Sequence, residues 1–334
     1  MAHVEHPAFV RYLLKPDSYP HPVSEVRLVQ THISFVFLAG EYVYKFKKPV
    51  DYGFLDFSNL EKRKFFCEQE LRLNRRLCPT IYLDVMSVSE QNNELSINGP
   101  GRIIEYGVKM RRMPEQGMLG NIIKSGGLTK KIIDDIIKIL VPFYAGAVST
   151  ETHFGGREKV REKVLGNLDG VRPFIGEAMD KKQFVEIFSF CEDFLVEEGL
   201  FDSRIAAGRV RECHGDLYSA NICVADQVYI FDCIEFNPMF RNCDVASDIA
   251  FLAMDLDFYG LNGLSDYFVE RFVSESGDPG LLQMLSFYKC YRASVRGKIG
   301  LLTAHEPEVD REIRDQSLIM AGKYFDLACR YAAE

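Results

Sequence analysis

The chain has 334 residues, of which 47% are hydrophobic and 26% are charged, a composition typical of globular proteins. Its formal net charge is −8, which argues against nucleic acid as the main partner because phosphate binding requires a basic face. No apolar run approaches the roughly 18 residues that a membrane-spanning helix needs. The opening MAHVEHPAFVRYLL is too short and too mixed for a signal peptide. The sequence therefore predicts a cytoplasmic protein with neither nucleic acid nor membrane as partner.

Four of the nine cysteines, Cys213, Cys223, Cys233 and Cys243, follow one another at intervals of ten residues. Zinc sites typically use pairs that are two to four residues apart. Nine cysteines in a chain of this length also do not form a dense disulfide framework. We therefore expect these four to be buried thiols.

The first predicted elements lie in residues 25–48, which have the pattern of a strand, a turn and a second strand. Residues 35–38 are rich in β-formers, residues 39–41 form the turn, and residues 42–48 alternate. Alternation along a strand puts side chains on opposite faces. It predicts Tyr42, Tyr44 and Phe46 on one face and Val43, Lys45 and Lys47 on the other.

A helix is predicted next, with a capping box formed by Ser58 and Glu61 at its start and Pro79 after its last turn. At 3.6 residues per turn, its apolar stripe consists of Phe66, Leu73 and Leu77. Glu70 lies in the middle of this stripe. A carboxylate on the buried face of a helix needs a cationic partner, so Glu70 is a candidate functional residue.

Further strands are predicted at 80–90 and 101–113, with NNELSINGPG as the turn between them. After Pro114 the pattern becomes helical, apart from a β-like segment at 222–235. The predicted helices span about 129–146, 181–198, 246–258, 264–275, 279–298 and 307–332. This order predicts an α+β fold with a strand-rich domain at 1–113 and a mostly helical domain at 114–334.

The main candidate site lies in CHGDLYSANI, where His214, Asp216 and Asn221 have the spacing H-x-D-x4-N, followed by Asp232 at the end of an apolar strand. Kinases have this pattern in their catalytic loop and metal-binding segment. Asp216 can accept the proton of an attacking hydroxyl. The side-chain oxygens of Asn221 and Asp232 suit Mg²⁺, which offsets phosphate charge. We expect His214 to brace the loop.

A kinase also needs a strand lysine on the phosphates, paired with a helix glutamate. Lys45 lies in the second predicted strand, and Glu70 is the buried carboxylate of the following helix. Lys47 lies on the same strand face as Lys45 and is the alternative candidate.

The segments HGDLYSANI, YIFDCIEFNP and DVASDIAFLAMDL resemble the aminoglycoside phosphotransferase-like kinases, in particular a large bacterial branch of that family. FVFLAGEYVYKFKKPVDYGFLDFS and CEQELRLNRRL also resemble this branch. The resemblance covers roughly residues 25–300. It implies a protein-kinase-like bilobal fold, with ATP or GTP between the lobes, Mg²⁺ as cofactor and a small-molecule hydroxyl acceptor.

Carried over by position, the resemblance makes Asp216 the catalytic base, and Asn221 and Asp232 the Mg²⁺ ligands. Lys45 would contact the phosphates with Glu70 as its partner. Asp248 matches the family's helix-borne aspartate that steadies the catalytic loop.

The sequence departs from protein kinases in three places. It has no G-x-G-x-x-G, so VQTHIS is the candidate nucleotide loop, with Thr31, Ser34 and backbone amides around the phosphates; Met110 is also assigned to nucleotide binding. Asp232 is followed by Cys-Ile and not by Phe-Gly, and no activation segment ends in A-P-E. These departures favour a small-molecule kinase and leave the choice between ATP and GTP open.

Two other functions fit the pattern less well. The missing glycine-rich loop favours a nucleotide-binding pseudokinase or regulatory scaffold, whereas such a scaffold has no use for the full set of Asp216, Asn221 and Asp232. A protein kinase is weaker still, because no activation segment is present.

Several further side chains are ambiguous. Taken singly, Asp216 and Asn221 could be turn or cap residues, and Glu235 could support the site or pair with Arg241. Asp255 and Asp257 could line a site for a cationic substrate, but a helix end facing water is the preferred interpretation.

Overall fold

The computed structural model describes residues 6–149, 152–306 and 309–334. The helices are α1 (Ala8–Leu13), α2 (Leu60–Asn74), α3 (Leu119–Lys124), α4 (Lys130–Gly146), α5 (Arg157–Asp169), α6 (Lys181–Phe194), α7 (Glu198–Ala206), α8 (Pro238–Arg241), α9 (Val245–Phe258), α10 (Asn262–Ser276), α11 (Leu281–Ala304) and α12 (Arg311–Ala333). The strands are β1 (Val26–Gln30), β2 (Ser34–Ala39), β3 (Tyr42–Lys47), β4 (Tyr82–Gln91), β5 (Glu94–Ile97), β6 (Arg102–Arg111), β7 (Val210–Glu212), β8 (Ile222–Val224), β9 (Val228–Ile230) and β10 (Asn242–Asp244).

The chain divides into two compact units. The first consists of the residues up to Gly117 together with Cys223–Pro238, and the second consists of Met118–Ile222 with Met239–Glu334. The division expected from the sequence, 1–113 and 114–334, placed the whole of 223–238 in the second part. The difference arises because the side chains of this segment form ion pairs and hydrogen bonds with β3 and α2.

In the first unit, a six-stranded antiparallel sheet has the order β1-β2-β3-β6-β4-β5. The side chains of β3 alternate as predicted. Tyr44 and Phe46 pack with α1 and β2 in an aromatic core, while Lys45 and Lys47 reach Glu70 of α2. The sheet therefore separates an apolar face from a charged one.

The segment NNELSINGPG, predicted as a turn, contains the strand β5. Gln91 of β4 pairs with Glu94 of β5, so Asn92 and Asn93 alone form the turn. Both have positive φ, 52° and 66°, as a type I′ hairpin requires. Asparagine tolerates this conformation, which allows the chain to reverse earlier than predicted.

The predicted capping box at Ser58 and Glu61 is wrong by one residue. Asn59 is the N-cap of α2, and its side chain accepts a hydrogen bond from the backbone N–H of Lys62 at 2.9 Å. Ser58 instead donates its hydroxyl to Asp56. Asn and Ser are comparably good N-caps, so the sequence left the exact start of the helix undecided.

The second unit is mostly helical, and the predicted helices are confirmed, although their ends differ from the prediction by up to six residues. The chain also forms α3, α5 and α7, which were not predicted as separate helices, and a small β7–β10 sheet. The charged segment 153–164 passes from a 3-10 turn into α5. The last predicted helix starts at Arg311; its first predicted positions, 307 and 308, lie outside the described residues, as do residues 1–5 of the opening segment.

The core of the second unit is built around α9, in which every residue from Val245 to Leu256 is buried. The four evenly spaced cysteines are buried thiols, as predicted. In the part of the chain that the structure describes, no helix has both the length and the apolar character needed to cross a membrane.

Candidate functional site

In the first unit, Lys45 on β3 lies between two carboxylates. Its Nζ is 2.6 Å from Asp232 Oδ1 and 2.9 Å from Glu70 Oε1. Glu70 is fully buried, whereas the side chain of Asp232 is 41% exposed. The structure thus brings together the three residues of this unit that the sequence assigned to the phosphates and the metal.

Lys47 lies two residues after Lys45 on β3 and is more deeply buried. Its Nζ is 2.8 Å from Glu70 Oε2 and also contacts the carboxylate of Glu235, and it lies over the ring of Phe57. Five charged side chains consequently alternate in sign, in the order Asp232, Lys45, Glu70, Lys47 and Glu235, and we call this set the charge ladder. The side chain of Lys47 is 1% exposed and that of Lys45 is 15% exposed. Of the two lysines, Lys45 is therefore at the accessible end.

The charge ladder shifts the pKa of its members. Burial raises the pKa of Glu70, but Lys45 and Lys47 outweigh it and lower the pKa to about 2. Burial lowers the pKa of Lys45, but Asp232 and Glu70 raise it well above its usual value. Burial raises the pKa of Glu235, and Lys47 only partly offsets this. At neutral pH Glu70 is therefore ionised and Lys45 is protonated.

Asp232 is held in place by hydrogen bonds from its own backbone segment. It has a left-handed φ of 64°, an uncommon conformation for a residue other than glycine. The backbone N–H of Cys233 donates to Asn74 Oδ1 at 2.9 Å, and the N–H of Asp232 donates to the Tyr82 hydroxyl at 3.3 Å. Asn74 in turn donates to the carbonyl of Glu70 at 2.8 Å. The end of α2 thus positions both the carboxylate of Glu70 and the turn that carries Asp232.

The sequence reasoning missed Asn74, Tyr82 and the role of Glu235. Asn74 is four residues after Glu70, so the helical periodicity that singled out Glu70 could have found it. Glu235 contacts Lys47, and Arg241 donates to Glu212 at 3.2 Å within the second unit. No signal in the sequence indicated Lys47 as a partner of Glu235.

The candidate nucleotide loop is the turn between β1 and β2. The Thr31 hydroxyl accepts from the backbone N–H of Ser34 at 3.0 Å and of Ile33 at 3.3 Å. The Ser34 hydroxyl is buried and has no hydrogen-bond partner among the described residues. Met110, on β6, is paired in register with Val43 of β3. Nucleotide contacts by Thr31, Ser34 and Met110 remain predictions.

In the second unit, the loop after β7 is fixed by Asp248 of α9. The backbone N–H groups of His214 and Gly215 donate to its carboxylate at 2.7 and 3.0 Å, and the Tyr144 hydroxyl donates at 3.1 Å. Arg292 of α11 donates to the carbonyl of Gly215 at 3.0 Å and lies 3.4 Å from Asp248. This buried carboxylate is thus compensated by hydrogen bonds and by an adjacent cation.

Asp216 and Asn221 contact each other within this loop. The Asn221 side-chain amide donates to the Asp216 carbonyl at 2.9 Å and to its Oδ2 at 3.0 Å. His214 Nδ1 accepts from the backbone N–H of Asp216 at 3.2 Å. These bonds fix the orientation of the Asp216 carboxylate and use the amide nitrogen of Asn221 rather than its oxygen.

The acidic end of α9 does not face water, contrary to the preferred interpretation from the sequence. Asp255 is 1% exposed and accepts from the backbone N–H of Ser219 at 2.9 Å. Asp257 accepts from Lys289 Nζ at 2.8 Å and from the Tyr331 hydroxyl. Packing of α9 against α11 and α12 buries these carboxylates, and each has a specific partner.

Each unit carries one side chain that the sequence assigns to Mg²⁺. In the first unit, Asp232 has a partly exposed carboxylate. In the second unit, Asn221 uses its amide nitrogen on Asp216, so its amide oxygen is the atom that suits a metal. Within the described residues no group of three or more His, Cys, Asp or Glu side chains could hold a metal. Mg²⁺ commonly takes one or two protein ligands, with phosphates and water completing the octahedron.

No protein-family model matches the sequence. Three uncharacterized mycobacterial proteins, one from Mycobacterium bovis and two from strains of Mycobacterium tuberculosis, are each 32% identical over 289 residues. The match covers 84% of this chain and 56% of each relative. The chain therefore spans little more than half the length of the mycobacterial relatives it matches.

Solved structures of small-molecule kinases have a similar fold. A microcompartment-associated aminopropanol kinase matches with a TM-score of 0.54 and 16% identity over 98% of both chains. A choline/ethanolamine kinase family protein from Mesorhizobium loti matches with a TM-score of 0.50 and 13% identity over 97% of both chains. At such low identity the likeness concerns the fold, and the α+β, kinase-like fold expected from the sequence is confirmed. The chain has the kinase-like fold of these two proteins.

Proposed function

We propose that the protein is a Mg²⁺-dependent phosphotransferase that moves the γ-phosphoryl group of ATP or GTP to a hydroxyl of a small molecule. The observation that carries this proposal is the ion-pair group of Lys45, Glu70 and Asp232. It combines a protonated lysine at the accessible end of a buried charge ladder with a partly exposed carboxylate in a left-handed conformation. Phosphoryl transfer needs such a cation for the phosphates and such an oxygen ligand for the metal.

In the first unit, Lys45 binds the phosphates and Glu70 keeps it oriented and charged. Asp232 would supply a ligand to Mg²⁺ from the first unit, and Asn221 would supply one from the second. When bound, Mg²⁺ offsets the negative charge of the phosphates. Thr31, Ser34 and Met110 contact the nucleotide.

In the second unit, Asp216 accepts the proton of the acceptor hydroxyl while that oxygen attacks the γ-phosphorus. The amide of Asn221 fixes the orientation of the Asp216 carboxylate. Asp248 accepts from the backbone N–H groups of His214 and Gly215, and Arg292 donates to the carbonyl of Gly215. His214 Nδ1 accepts from the backbone N–H of Asp216. These contacts position the base before substrate arrives, which lowers the cost of reaching the transition state.

The test is thermal unfolding with ATP or GTP, each with and without Mg²⁺, for the wild type, Asp232→Ala and Asp216→Asn. A ligand that binds only the folded state stabilises it by about 2.7 kcal/mol at 100 times its Kd. We expect a Mg²⁺-dependent rise in Tm for the wild type and for Asp216→Asn, and no such rise for Asp232→Ala. The nucleotide that gives the larger rise is the donor.

Asp216→Asn also separates transfer from binding. It should retain the nucleotide response but lower turnover with any accepted alcohol by roughly 100-fold or more, because it removes the general base. No nucleotide response in the wild type would overturn the proposal. A nucleotide response with phosphorylation of no alcohol would favour the pseudokinase or scaffold.

A further inference from the structure

Arg296 of α11 is a partly buried cation that forms no ion pair with any residue that the structure describes. Its guanidinium carbon lies 4.7 Å from the centre of the Tyr218 ring and 5.7 Å from that of Tyr324. Its Nε is buried and has no hydrogen-bond partner, and among the residues the structure describes no carboxylate oxygen comes within ion-pair distance of it. A buried polar atom without a hydrogen-bond partner is costly, so the unpaired Nε of Arg296 needs an explanation.

Arg292, one helical turn earlier on the same face of α11, provides a direct comparison. Its guanidinium donates to the carbonyls of Gly215 and Ser247 and lies beside Asp248. These contacts explain why Arg292 is buried: its charge is compensated, and it stabilises the loop that carries Asp216. Arg296 has no equivalent set of acceptors, although it lies on the same side of the helix and reaches the same loop.

The surroundings of Arg296 belong to the Asp216 loop. Tyr218 is two residues after Asp216, and its ring stacks on Phe251 at 5.5 Å. Burial lowers the pKa of Arg296, but the pKa is raised overall by Tyr218, Tyr324 and Asp216. Arg296 therefore remains charged within electrostatic range of the proposed catalytic base.

The carboxylates of the same region are already engaged. Asp255 accepts from the backbone N–H of Ser219, and Asp257 is paired with Lys289 and Tyr331. A cationic acceptor, such as an amino alcohol, would thus find no unengaged carboxylate on this part of α9 and would meet the positive charge of Arg296. A negatively charged acceptor would instead supply the missing partner of Arg296.

We propose that Arg296 binds an anionic group of the acceptor, so that the substrate is an alcohol that also carries a carboxylate or a phosphate. The inference rests on the proposed function. A guanidinium forms two parallel hydrogen bonds with either group, and aromatic walls hold its plane in position. In the reaction, the acceptor hydroxyl forms an O–P bond, the bond to the leaving nucleoside diphosphate breaks, and the hydroxyl proton passes to Asp216. The anionic group takes no part in these bond changes and serves recognition.

The experiment compares matched alcohols of different charge in the presence of Mg²⁺ and the donor nucleotide. Glycerate and related hydroxy acids probe the carboxylate, glycerol 3-phosphate and related esters probe the phosphate, glycerol is neutral, and ethanolamine, 1-amino-2-propanol and choline are cationic. Shifts in Tm and phosphorylation rates are measured for the wild type, Arg296→Gln, Arg296→Lys and the control Arg314→Gln. Arg314 is an exposed residue of α12.

We expect one of the two anionic classes to raise Tm and to be phosphorylated, and the neutral and cationic alcohols to do neither. Arg296→Gln should raise the KM for the anionic alcohol at least tenfold. Arg296→Lys, which keeps the positive charge, should raise this KM less, and Arg314→Gln should have the KM of the wild type. A merely structural Arg296 would lower the Tm of the ligand-free variant without changing selectivity. Three outcomes would overturn the inference. The first is a lower Tm of ligand-free Arg296→Gln with unchanged selectivity. The others are phosphorylation of a cationic alcohol by both wild type and Arg296→Gln, and the lack of a response to any anionic alcohol.

The nucleotide response of the wild type separates the two proposals. If Mg²⁺ and nucleotide raise Tm but no anionic alcohol does, the inference fails and the proposed phosphotransferase stands. If the nucleotide itself gives no response, the proposed function fails first.

Discussion

At the scale of single residues, the charge ladder assigns different tasks to two neighbouring lysines. Lys47 is enclosed by Glu70, Glu235 and the Phe57 ring, whereas Lys45 is at the end where Asp232 is partly exposed. A buried ion pair adds little net stability, but removing one partner leaves a buried charge that is costly. Lys47 therefore supports the fold, and Lys45 keeps Glu70 as partner while remaining accessible to a ligand.

We predict that Lys47→Met lowers the free energy of unfolding by about 3–5 kcal/mol, because it leaves Glu70 and Glu235 as adjacent buried carboxylates. Lys45→Met should lower the free energy of unfolding clearly less, because Glu70 keeps Lys47 as its partner and the partly exposed carboxylate of Asp232 can be hydrated. Lys45→Met should nevertheless abolish the Mg²⁺-dependent nucleotide response. Urea unfolding and nucleotide-dependent Tm shifts measure the two effects.

A suitable control is Lys131→Met, because Lys131 forms an exposed ion pair with Asp135 on α4. Pairs of this kind contribute about 0–1 kcal/mol. Equal losses of stability in the Lys45 and Lys47 variants would contradict the division of tasks along the charge ladder.

At the scale of elements, α11 and α12 approach closely at Gly297. A Cβ atom on Gly297 would lie 2.6 Å from the ring of Phe325, well inside van der Waals contact. Phe325 is fully buried, so its ring has little room to move. The glycine is thus required by the contact between the two helices and not by the backbone of α11.

We predict that Gly297→Ala destabilises the protein by about 1–3 kcal/mol through overpacking, although alanine favours a helix over glycine by about 1 kcal/mol. The matched control is Gly166→Ala in α5, where a Cβ would meet no atom within 4 Å. That variant should be neutral or stabilised by up to about 1 kcal/mol. Thermal unfolding measures the change in stability of both variants. A stabilised Gly297→Ala would contradict the prediction, since it would show that α11 and α12 can move apart without loss of stability.

At the scale of the whole molecule, the free energy of unfolding should depend on pH through the charge ladder. The pKa of Glu70 is lowered to about 2 in the folded protein from its usual value of 4.5. Its contribution is therefore complete above about pH 4.5 and is lost as the pH falls toward 2, on the order of 3 kcal/mol. Glu235 acts in the opposite direction, because its raised pKa lets the folded protein take up a proton earlier.

We predict that the stability difference between the wild type and Glu70→Gln is largest near neutral pH and narrows between pH 4.5 and 3. Urea unfolding at a series of pH values measures it. Glu68→Gln serves as the control, since Glu68 lies on the exposed face of the same helix. A stability difference that stays constant with pH would mean that Lys45 and Lys47 do not lower the pKa of Glu70 in the folded protein.

Much of the site was predictable because it is encoded over short distances in the sequence. Helical periodicity placed Glu70 on the buried face of α2, and strand alternation placed Lys45 and Lys47 together on one face of β3. The spacing of Asp216, Asn221 and Asp232 matches the kinase pattern without any knowledge of the fold, and their roles stay predictions. Periodicity and spacing are fixed by backbone geometry, so the sequence by itself determined these features.

Only the tertiary structure decided which partners these residues have. Lys47 contacts Glu235 from 188 positions away, and Asp255 and Asp257 are engaged by Ser219 and Lys289 rather than exposed to water. The same packing assigns Cys223–Pro238 to the first unit and leaves Arg296 Nε without a partner among the residues that the structure describes. A charged side chain takes whichever partner is nearest once water is excluded, and local sequence patterns do not specify that neighbour.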